Sequence, residues 1–144
     1  MDADILSCPA CARRNRVPRA VSGVPRCGRC RAPLPWLVAA GDRDFAEVAE
    51  QAALPVLVDL WAPWCGPCRM VAPLVERVAG ELTGHLKAVT VNVDESPLVA
   101  ARYQVSSIPT LLLLRDGREA GRQVGALPGD RLLAWVRRQV DAVA

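Results

Sequence analysis

All six cysteines of this chain fall into C-x-x-C pairs, and no other feature constrains its fold as strongly. The pairs are Cys8/Cys11, Cys27/Cys30 and Cys65/Cys68. In a reducing compartment, pairs with this spacing indicate metal binding or redox chemistry more than a disulfide framework. Two pairs lie near the N-terminus and the third lies in mid-chain, so the pattern predicts two separate sites.

The N-terminus and the apolar content bear on compartment and size. The segment from Met1 to Asp4 is acidic and lacks the basic and apolar regions of a secretory signal. No apolar stretch approaches the ~20 residues that a membrane-spanning helix needs. We therefore expect a cytoplasmic protein with no membrane contact. With 144 residues, 51% of them apolar, the chain can form one full domain with a small appendage.

Charge is distributed unevenly along the chain. Residues 1–35 hold seven arginines against two aspartates, a net charge of +5, whereas residues 36–144 hold eleven bases against thirteen acids. A nucleic-acid partner would have to bind the first 35 residues, which contain no aromatic side chain on which a base could stack. We therefore expect no nucleic-acid partner.

The first two cysteine pairs predict a zinc site. They enclose fifteen residues, which matches the spacing of tetrahedral zinc sites with four cysteine ligands. The surrounding segment is short, rich in arginine and interrupted by proline and glycine, so it cannot bury enough apolar surface to fold without a metal. We expect one zinc held by Cys8, Cys11, Cys27 and Cys30, in a structural or redox-sensitive site, within a ribbon that ends with a proline linker at residue 35. The alternative is a pair of redox dithiols or disulfides.

Residues 36–144 alternate between strand-like and helix-like patterns. The order β-α-β-α-β-α-β-β-α predicts an α/β fold with a central mixed sheet flanked by helices. Asp42 or Asp44 is expected to cap the first helix, which would end near residue 53. The other predicted elements are strands at 36–40, 55–61, 88–93, 110–114 and 119–124, and helices at 67–82, 97–103 and 130–143.

The third pair lies between a buried strand and a helix, and this position favours redox chemistry over half of a zinc site. On the first helical turn, residues three apart lie on one face, so the two sulfurs can bond and separate without refolding. Pro67 suits an early helical position because its missing N–H is not needed there. The helix N-terminus favours a thiolate at Cys65, the expected nucleophile. Cys68 lies further along the helix and is expected to be more buried and to act as the resolving thiol.

The residues around this pair resemble the thioredoxin family over positions 36–144. The matching strings are Val58–Pro63, Trp64–Cys68, Arg69–Pro73, Ile108–Thr110 and Val124–Ala126. The N-terminal strings Cys8–Pro18 and Cys27–Cys30 resemble the zinc ribbon of bacterial thioredoxin-2 type proteins. This resemblance implies a thioredoxin fold and a protein-disulfide reductase without a bound organic cofactor, regenerated by an NADPH-dependent thioredoxin reductase. We expect it to act as a monomer.

Asp59 lies inside an apolar strand, six residues before Cys65. An ionised carboxylate buried there without a partner would be costly, so one interpretation is a carboxyl satisfied by local backbone. The resemblance favours a buried acid with a raised pKa that accepts the proton of Cys68. Many thioredoxins also carry a lysine near this acid, and Thr90 occupies that position here.

The resemblance also implies a surface where protein substrates dock. Base rates for X–Pro bonds predict a trans peptide before Pro109, whereas thioredoxins hold this proline cis against the disulfide. The docking surface would comprise Trp64, Gly66, Pro67, Ile108, Pro109, Gly125 and Ala126. From the sequence alone, Gly125 could equally mark a simple turn. A ribbon that binds nucleic acid, and an oxidase or isomerase, are the rival functions.

Overall fold

The computed structural model describes residues 3–21 and 23–141. Its main part is a five-stranded mixed sheet with strand order β3-β5-β4-β6-β7, in which β3, β5 and β4 are parallel and β6 and β7 are antiparallel additions. This is the predicted α/β fold with a mixed central sheet. The strands are β1 (Ala3–Ser7), β2 (Arg14–Pro18), β3 (Leu37–Ala39), β4 (Val56–Trp61), β5 (Lys87–Asn92), β6 (Thr110–Arg115) and β7 (Arg118–Val124). The helices are α1 (Gly66–Glu81), α2 (Pro97–Arg102) and α3 (Gly129–Asp141), with a π-helical turn at Ala46–Glu50.

The sheet separates two apolar layers because successive side chains of a strand point to opposite faces. On one face, Leu57 of β4 and Leu111 of β6 pack with α1 and α3. On the other face, Val58 and Leu60 of β4 pack with Phe45 and other residues of the π-helical segment. Burial of each such side chain contributes about 1.5–3 kcal/mol, so both layers fix the position of β4 and of the loop that follows it.

Residues 3–21 and 23–35, which we call the ribbon, pack onto the second face of the sheet. Their strands β1 and β2 form an antiparallel hairpin, which the sequence analysis did not predict. Cys8, Val17 and Cys27 belong to the same buried cluster as Trp36 and Val38. The ribbon and the main sheet therefore share one continuous core.

Lys87, the only lysine of the chain, lies at the junction between the ribbon and the sheet. Its side chain is fully buried, and its Nζ donates a hydrogen bond to the carbonyl oxygen of Arg19 at 2.5 Å. Nζ also lies 4.0 Å from the centre of the Trp36 ring, within range of a cation–π interaction. Burial lowers the pKa of Lys87 to about 8. A buried cation thus tethers the ribbon through a main-chain carbonyl.

The helix predicted between positions 42 and 53 is only the π-helical turn. The carboxylate of Asp44 accepts a hydrogen bond from the Gly41 N–H at 2.8 Å instead of capping a long helix. Asp42 accepts hydrogen bonds from the N–H groups of Leu98 and Val99 at 3.1 and 2.9 Å, and so caps α2. Asp42 thus caps a helix, as its residue type suggests, but tertiary contacts decide which one, whereas Asp44 makes no side-chain cap to the π-helical turn.

The remaining elements lie within a few residues of their predicted bounds. α1 runs through Pro73, as predicted, and α3 begins one residue before its predicted start. The last two residues of the predicted C-terminal helix, 142 and 143, lie outside the described residues. Within the described ranges, no helix is both long and apolar enough to span a bilayer.

Candidate functional site

The redox pair lies where β4 leaves the sheet and α1 begins. Cys65 is the N-cap of α1, and a disulfide joins it to Cys68, with the two Cα atoms 5.3 Å apart. The Cys68 N–H donates to the Cys65 Sγ at 3.2 Å. Since unpaired N–H groups at a helix start favour negative charge, the geometry stabilises a thiolate at Cys65 in the reduced protein. Both cysteines are buried, at 5% and 3% exposure, so the predicted difference in their burial is small in the disulfide form.

Exposed residues border the disulfide on the helix side. Trp64 is 70% exposed, and its indole Nε1 donates to the carboxylate of Asp94 at 3.1 Å. Gly66 and Pro67 are also exposed, and a Cβ added at Gly66 would contact nothing within 4 Å. Sequence reasoning missed Asp94. The sequence did contain a signal for Asp94. It follows the end of β5, which runs parallel to β4, so the residues after both strands meet at the same edge of the sheet.

A second loop meets the disulfide from the other side. The Ile108–Pro109 peptide bond is cis, as the resemblance implied and against the base rate. Ile108 packs against the buried cluster of Ala62, Cys65 and Cys68. The Gly125 N–H donates to the Pro109 carbonyl at 2.8 Å, and Gly125 adopts a φ of +90° with open space around it. The structure thus brings Ile108 against the disulfide and links Gly125, with the exposed Ala126 beside it, to the proline loop.

Asp59 lies on β4, directly opposite Thr90 of β5 in the parallel register. Its side chain is only 2% exposed, and its Oδ1 has no hydrogen-bond partner, so local backbone does not satisfy this oxygen. Burial raises the pKa of Asp59 to about 6. A cavity of about 240 Å³ is lined by Asp59, Thr90, Cys68 and neighbouring residues. The carboxyl therefore shares a cavity with Cys68, and its pKa of about 6 lies well above the ordinary value.

The four ribbon cysteines converge at a separate site. All four Sγ atoms lie within 4.8 Å of one another, with Cys8 and Cys30 at 3.5 Å and Cys11 and Cys27 at 3.6 Å. Four sulfurs placed about 2.3 Å from a tetrahedral zinc would be about 3.8 Å apart, whereas a disulfide bond is about 2.05 Å long. The sulfur positions therefore fit zinc and do not fit disulfides.

Each half of the cluster repeats one backbone arrangement, called here a knuckle. In each, the first cysteine donates its N–H to the carbonyl five residues later, and its Sγ faces the N–H two residues later. The residue four positions after that cysteine has a positive φ, which turns the chain back. The Cys8 N–H bonds the Arg13 carbonyl at 2.8 Å, and the Cys27 N–H bonds the Ala32 carbonyl at 2.9 Å. The N–H groups of Ala10 and Arg29 each lie 3.4 Å from the sulfur of Cys8 and Cys27, respectively. The residues with positive φ are Ala12 (66°) and Arg31 (68°). Backbone N–H groups, that of Cys30 foremost, lower the pKa of Cys27 to about 6.

Asn15 joins the two knuckles. Its side chain is buried; Nδ2 donates to the Arg13 carbonyl at 3.0 Å, and Oδ1 accepts from the Gly28 N–H at 2.9 Å. Sequence reasoning did not single out this residue. The only signal for it was an uncharged amide between two arginines of an otherwise basic strand.

Comparisons with known proteins agree with this geometry. The thioredoxin family model matches residues 37–138. The chain is 40% identical to the M-type chloroplastic thioredoxin of Chlamydomonas reinhardtii, over 90% of this chain and 97% of that protein. It is 43% identical to a thioredoxin of Haemophilus influenzae, over 69% and 92% of the two chains. With thioredoxin 1 of Synechococcus elongatus the identity is 49%, over 60% and 81%.

The disulfide at the start of α1, the cis-proline loop that meets it, and the matched family model all lead to one assignment. A dithiol in this position exchanges electrons with other disulfides by thiolate attack. The chain belongs to the thioredoxin family and is a thiol-disulfide oxidoreductase.

Proposed function

We propose that this chain is a zinc-ribbon thioredoxin of the bacterial thioredoxin-2 type, which reduces disulfides in protein substrates and maintains redox homeostasis. The observation that carries the proposal is the hydrogen bond from the Cys68 N–H to the Cys65 Sγ at the start of α1. That contact favours Cys65 as the thiolate. The four convergent sulfurs of the ribbon support the subtype.

The proposed catalytic cycle uses three residues, Cys65, Cys68 and Asp59. The Cys65 thiolate attacks one sulfur of a substrate disulfide; a Cys65–substrate bond forms, the substrate S–S bond breaks, and the leaving thiolate takes up a proton. Cys68 then transfers its proton to Asp59 across their shared cavity and attacks the Cys65 sulfur. The Cys65–Cys68 disulfide forms, the Cys65–substrate bond breaks, and the departing substrate thiolate takes up a proton, so the substrate gains two electrons.

Substrate docking is assigned to the surface around the disulfide. On the helix side this surface would comprise Trp64, Gly66 and Pro67, and on the loop side Ile108, Pro109, Gly125 and Ala126, of which Ile108 packs against the cluster of Cys65 and Cys68. The open space at Gly66 and Gly125 supports close approach of a substrate backbone. An extended substrate segment would pair with backbone groups of the residue before the cis proline.

The ribbon cysteines would hold one zinc ion, which when bound cross-links the two knuckles and neutralises part of the thiolate charge. The backbone N–H groups that donate to the Cys8 and Cys27 sulfurs would stabilise these residues as thiolate ligands. Asn15 fixes the distance between the knuckles. In this proposal the ribbon is structural and takes no part in disulfide exchange.

A reducing compartment suits both sites, because four free thiols persist there. This supports a cytoplasmic location, and we propose that the chain acts as a monomer. An NADPH-dependent thioredoxin reductase would return the Cys65–Cys68 disulfide to the dithiol by supplying two electrons.

Reduction of insulin disulfides, coupled to thioredoxin reductase and NADPH, tests the proposed function. We expect turnover that depends on Cys65 and consumes one NADPH per disulfide reduced. An oxidase or isomerase would instead show a redox potential well above that of thioredoxins, near −180 mV or higher against about −270 mV. No NADPH consumption with active reductase and a correctly folded protein would contradict the proposal.

A further inference from the structure

The outward face of the ribbon hairpin carries basic charge without acidic partners. Residues two apart on a strand share a face, so Arg14 and Arg16 of β2 both point outward. The alternate residues, Asn15 and Val17, are buried. Their cross-strand partners on β1 are Ser7 and Ile5, which lie on the same face.

This surface, defined by Ile5, Ser7, Arg14 and Arg16, is called the basic face. Arg14 and Arg16 are exposed, and neither makes an ion pair or side-chain hydrogen bond within the described part of the chain. Ile5 beside them is 51% exposed. The face therefore offers two free guanidinium groups beside an apolar contact.

The charge of this face exceeds what the metal site requires. Among residues 3–35, the single acid is Asp4, and a bidentate contact at 3.0 and 3.1 Å pairs it with Arg19. A zinc ion bound by four thiolates carries a net charge of −2, and exposed arginines on or beside the knuckles are numerous enough to balance it. These are Arg13, Arg26, Arg29 and Arg31. Arg14 and Arg16 are left without a charge to balance.

We propose that the basic face binds an extended acidic segment of the protein substrates whose disulfides the thioredoxin domain reduces. Arginine forms bidentate contacts with carboxylates, and two arginines on alternate positions of a strand lie about 7 Å apart. That spacing matches carboxylates two residues apart on an extended peptide. Ile5 suits an apolar side chain of the same segment, and the absence of aromatic residues in the ribbon disfavours single-stranded nucleic acid as the occupant.

The proposal rests on the proposed function but concerns only which substrates are preferred. Exposed charge pairs act mainly on association, so the face should lower KM for acidic substrates and leave kcat unchanged. The effect should weaken as salt rises, because the Debye length falls from ~10 Å at 0.1 M to ~3 Å at 1 M.

The test uses the full-length zinc-loaded protein and two disulfide peptides. The peptides share one disulfide segment, and one carries a tail of alternating glutamate and threonine where the other has glutamine and threonine. We expect KM for the acidic peptide to be about three- to tenfold lower at about 20 mM salt, with the difference lost at about 1 M. The double variant Arg14→Gln/Arg16→Gln should lose this preference and keep its kcat on the neutral peptide.

The matched control is Arg131→Gln/Arg138→Gln, which removes the same charge from α3 on the opposite face of the sheet and should keep the preference. Zinc content and turnover of the neutral peptide show that each variant is folded. If the Arg14/Arg16 variant fails to fold, direct titration of the parent protein with a cysteine-free acidic tail decides the matter. Equal KM for both peptides in the parent protein, or no binding of that tail, would overturn the proposal.

Two other outcomes would also overturn it. Binding of a DNA duplex more tightly than the acidic tail, abolished in the Arg14/Arg16 variant, would assign the face to nucleic acid. Dimerisation that depends on Arg14 and Arg16 would assign it to a second copy of the chain. Failure of the proposed function is distinguishable, because neither peptide would then be reduced by the parent protein.

Discussion

The ribbon and the start of α1 use the same C-x-x-C spacing, but the backbone around the cysteines differs. At α1 the second cysteine of the pair donates its own N–H to the first sulfur, which holds both sulfurs on one helical turn. In each ribbon knuckle the N–H two residues after the first cysteine faces its sulfur, and a residue with positive φ follows the pair. The helical pair is bonded to itself, whereas each knuckle directs its sulfurs to the other knuckle.

This difference shows how local structure selects the chemistry of a cysteine pair. The closest sulfur contacts of the ribbon join one knuckle to the other, Cys8 with Cys30 and Cys11 with Cys27. Such an arrangement favours a shared metal ion over an internal disulfide. At α1 the pair needs no partner elsewhere in the chain, so its disulfide can be reduced and re-formed by exchange with a substrate.

The largest expected effect comes from removing the attacking sulfur. Cys65→Ser should lower the rate of insulin reduction more than about a thousandfold, because the attacking thiolate at the helix start is lost. Cys68→Ser should instead accumulate mixed disulfides with substrate proteins, seen as higher bands on non-reducing gels. Both variants should retain full zinc. Mixed disulfides that accumulate through Cys68 in Cys65→Ser would reverse the assigned roles.

Loss of a ribbon ligand should remove the zinc but leave disulfide reduction largely intact. Cys27→Ser removes a fully buried ligand, so zinc measured by elemental analysis should fall to near zero. Insulin reduction should stay within a few-fold of the parent value, since Cys65 and Asp59 are untouched. Thermal stability should decrease, because Cys27 is part of the core that the ribbon shares with Trp36. Loss of all turnover in a folded Cys27→Ser protein would make the ribbon part of the catalytic machinery.

Asp59→Asn should slow reduction about 10- to 100-fold near pH 7, by removing the proton acceptor of Cys68. It should also change how stability depends on pH. The folded pKa of about 6 lies above the ordinary value of 3.8, so the ionised carboxylate destabilises the folded protein. The parent should therefore lose up to about 3 kcal/mol of stability through Asp59 as the pH rises from about 4 through 6.

The variant should escape that loss and be the more stable protein at pH 8, with the difference vanishing below pH 4. Urea denaturation at pH 4, 6 and 8 measures this. A rate unchanged between pH 6 and 8 in both proteins would return Asp59 to a purely structural role.

Asn15→Ala should weaken zinc binding about tenfold, because the variant cannot join the Arg13 carbonyl to the Gly28 N–H. Competition with a chelator measures this affinity. Insulin reduction serves as the internal control and should not change. An unaltered zinc affinity would mean that the knuckles hold their spacing without this side chain.

The smallest expected effect concerns Thr90. Thr90→Lys places an ammonium group beside the cavity that contains Asp59, so the pKa of Asp59 should fall and the acidic limb of the pH–rate profile should move down by about one pH unit. Thr90→Val, of nearly equal volume and without charge, is the control and should leave that limb in place. Identical profiles for the two variants would show that Asp59 does not set the acidic limb.

Local patterns were sufficient to predict the part of the fold that carries the redox pair. The apolar run of β4 and the Pro67 that follows Cys65 fix the strand and the helix start, and the parallel register then places Asp59 against Thr90. The cis bond before Pro109 was predicted only through the resemblance, because base rates for X–Pro bonds favour trans.

Features that depend on distant contacts could not be predicted from local patterns. Asp42 caps α2, more than fifty positions away, so its helix-start signal was assigned to the wrong helix. Lys87 is a strand residue whose burial depends on the ribbon covering it. The hairpin of the ribbon escaped prediction because the alternation over residues 14–17 is short and its buried side is completed by the sheet beneath.

The central claim is that the two kinds of cysteine pair divide the chemistry, with Cys65 and Cys68 exchanging electrons while the ribbon cysteines hold zinc. Native mass spectrometry of the fully reduced zinc-loaded protein, before and after one round of turnover with excess insulin, tests it most directly. We predict a loss of two hydrogens, a disulfide mapped by digestion to Cys65–Cys68, and one zinc ion retained throughout. Release of zinc during turnover, or a disulfide among the four ribbon cysteines, would contradict the claim.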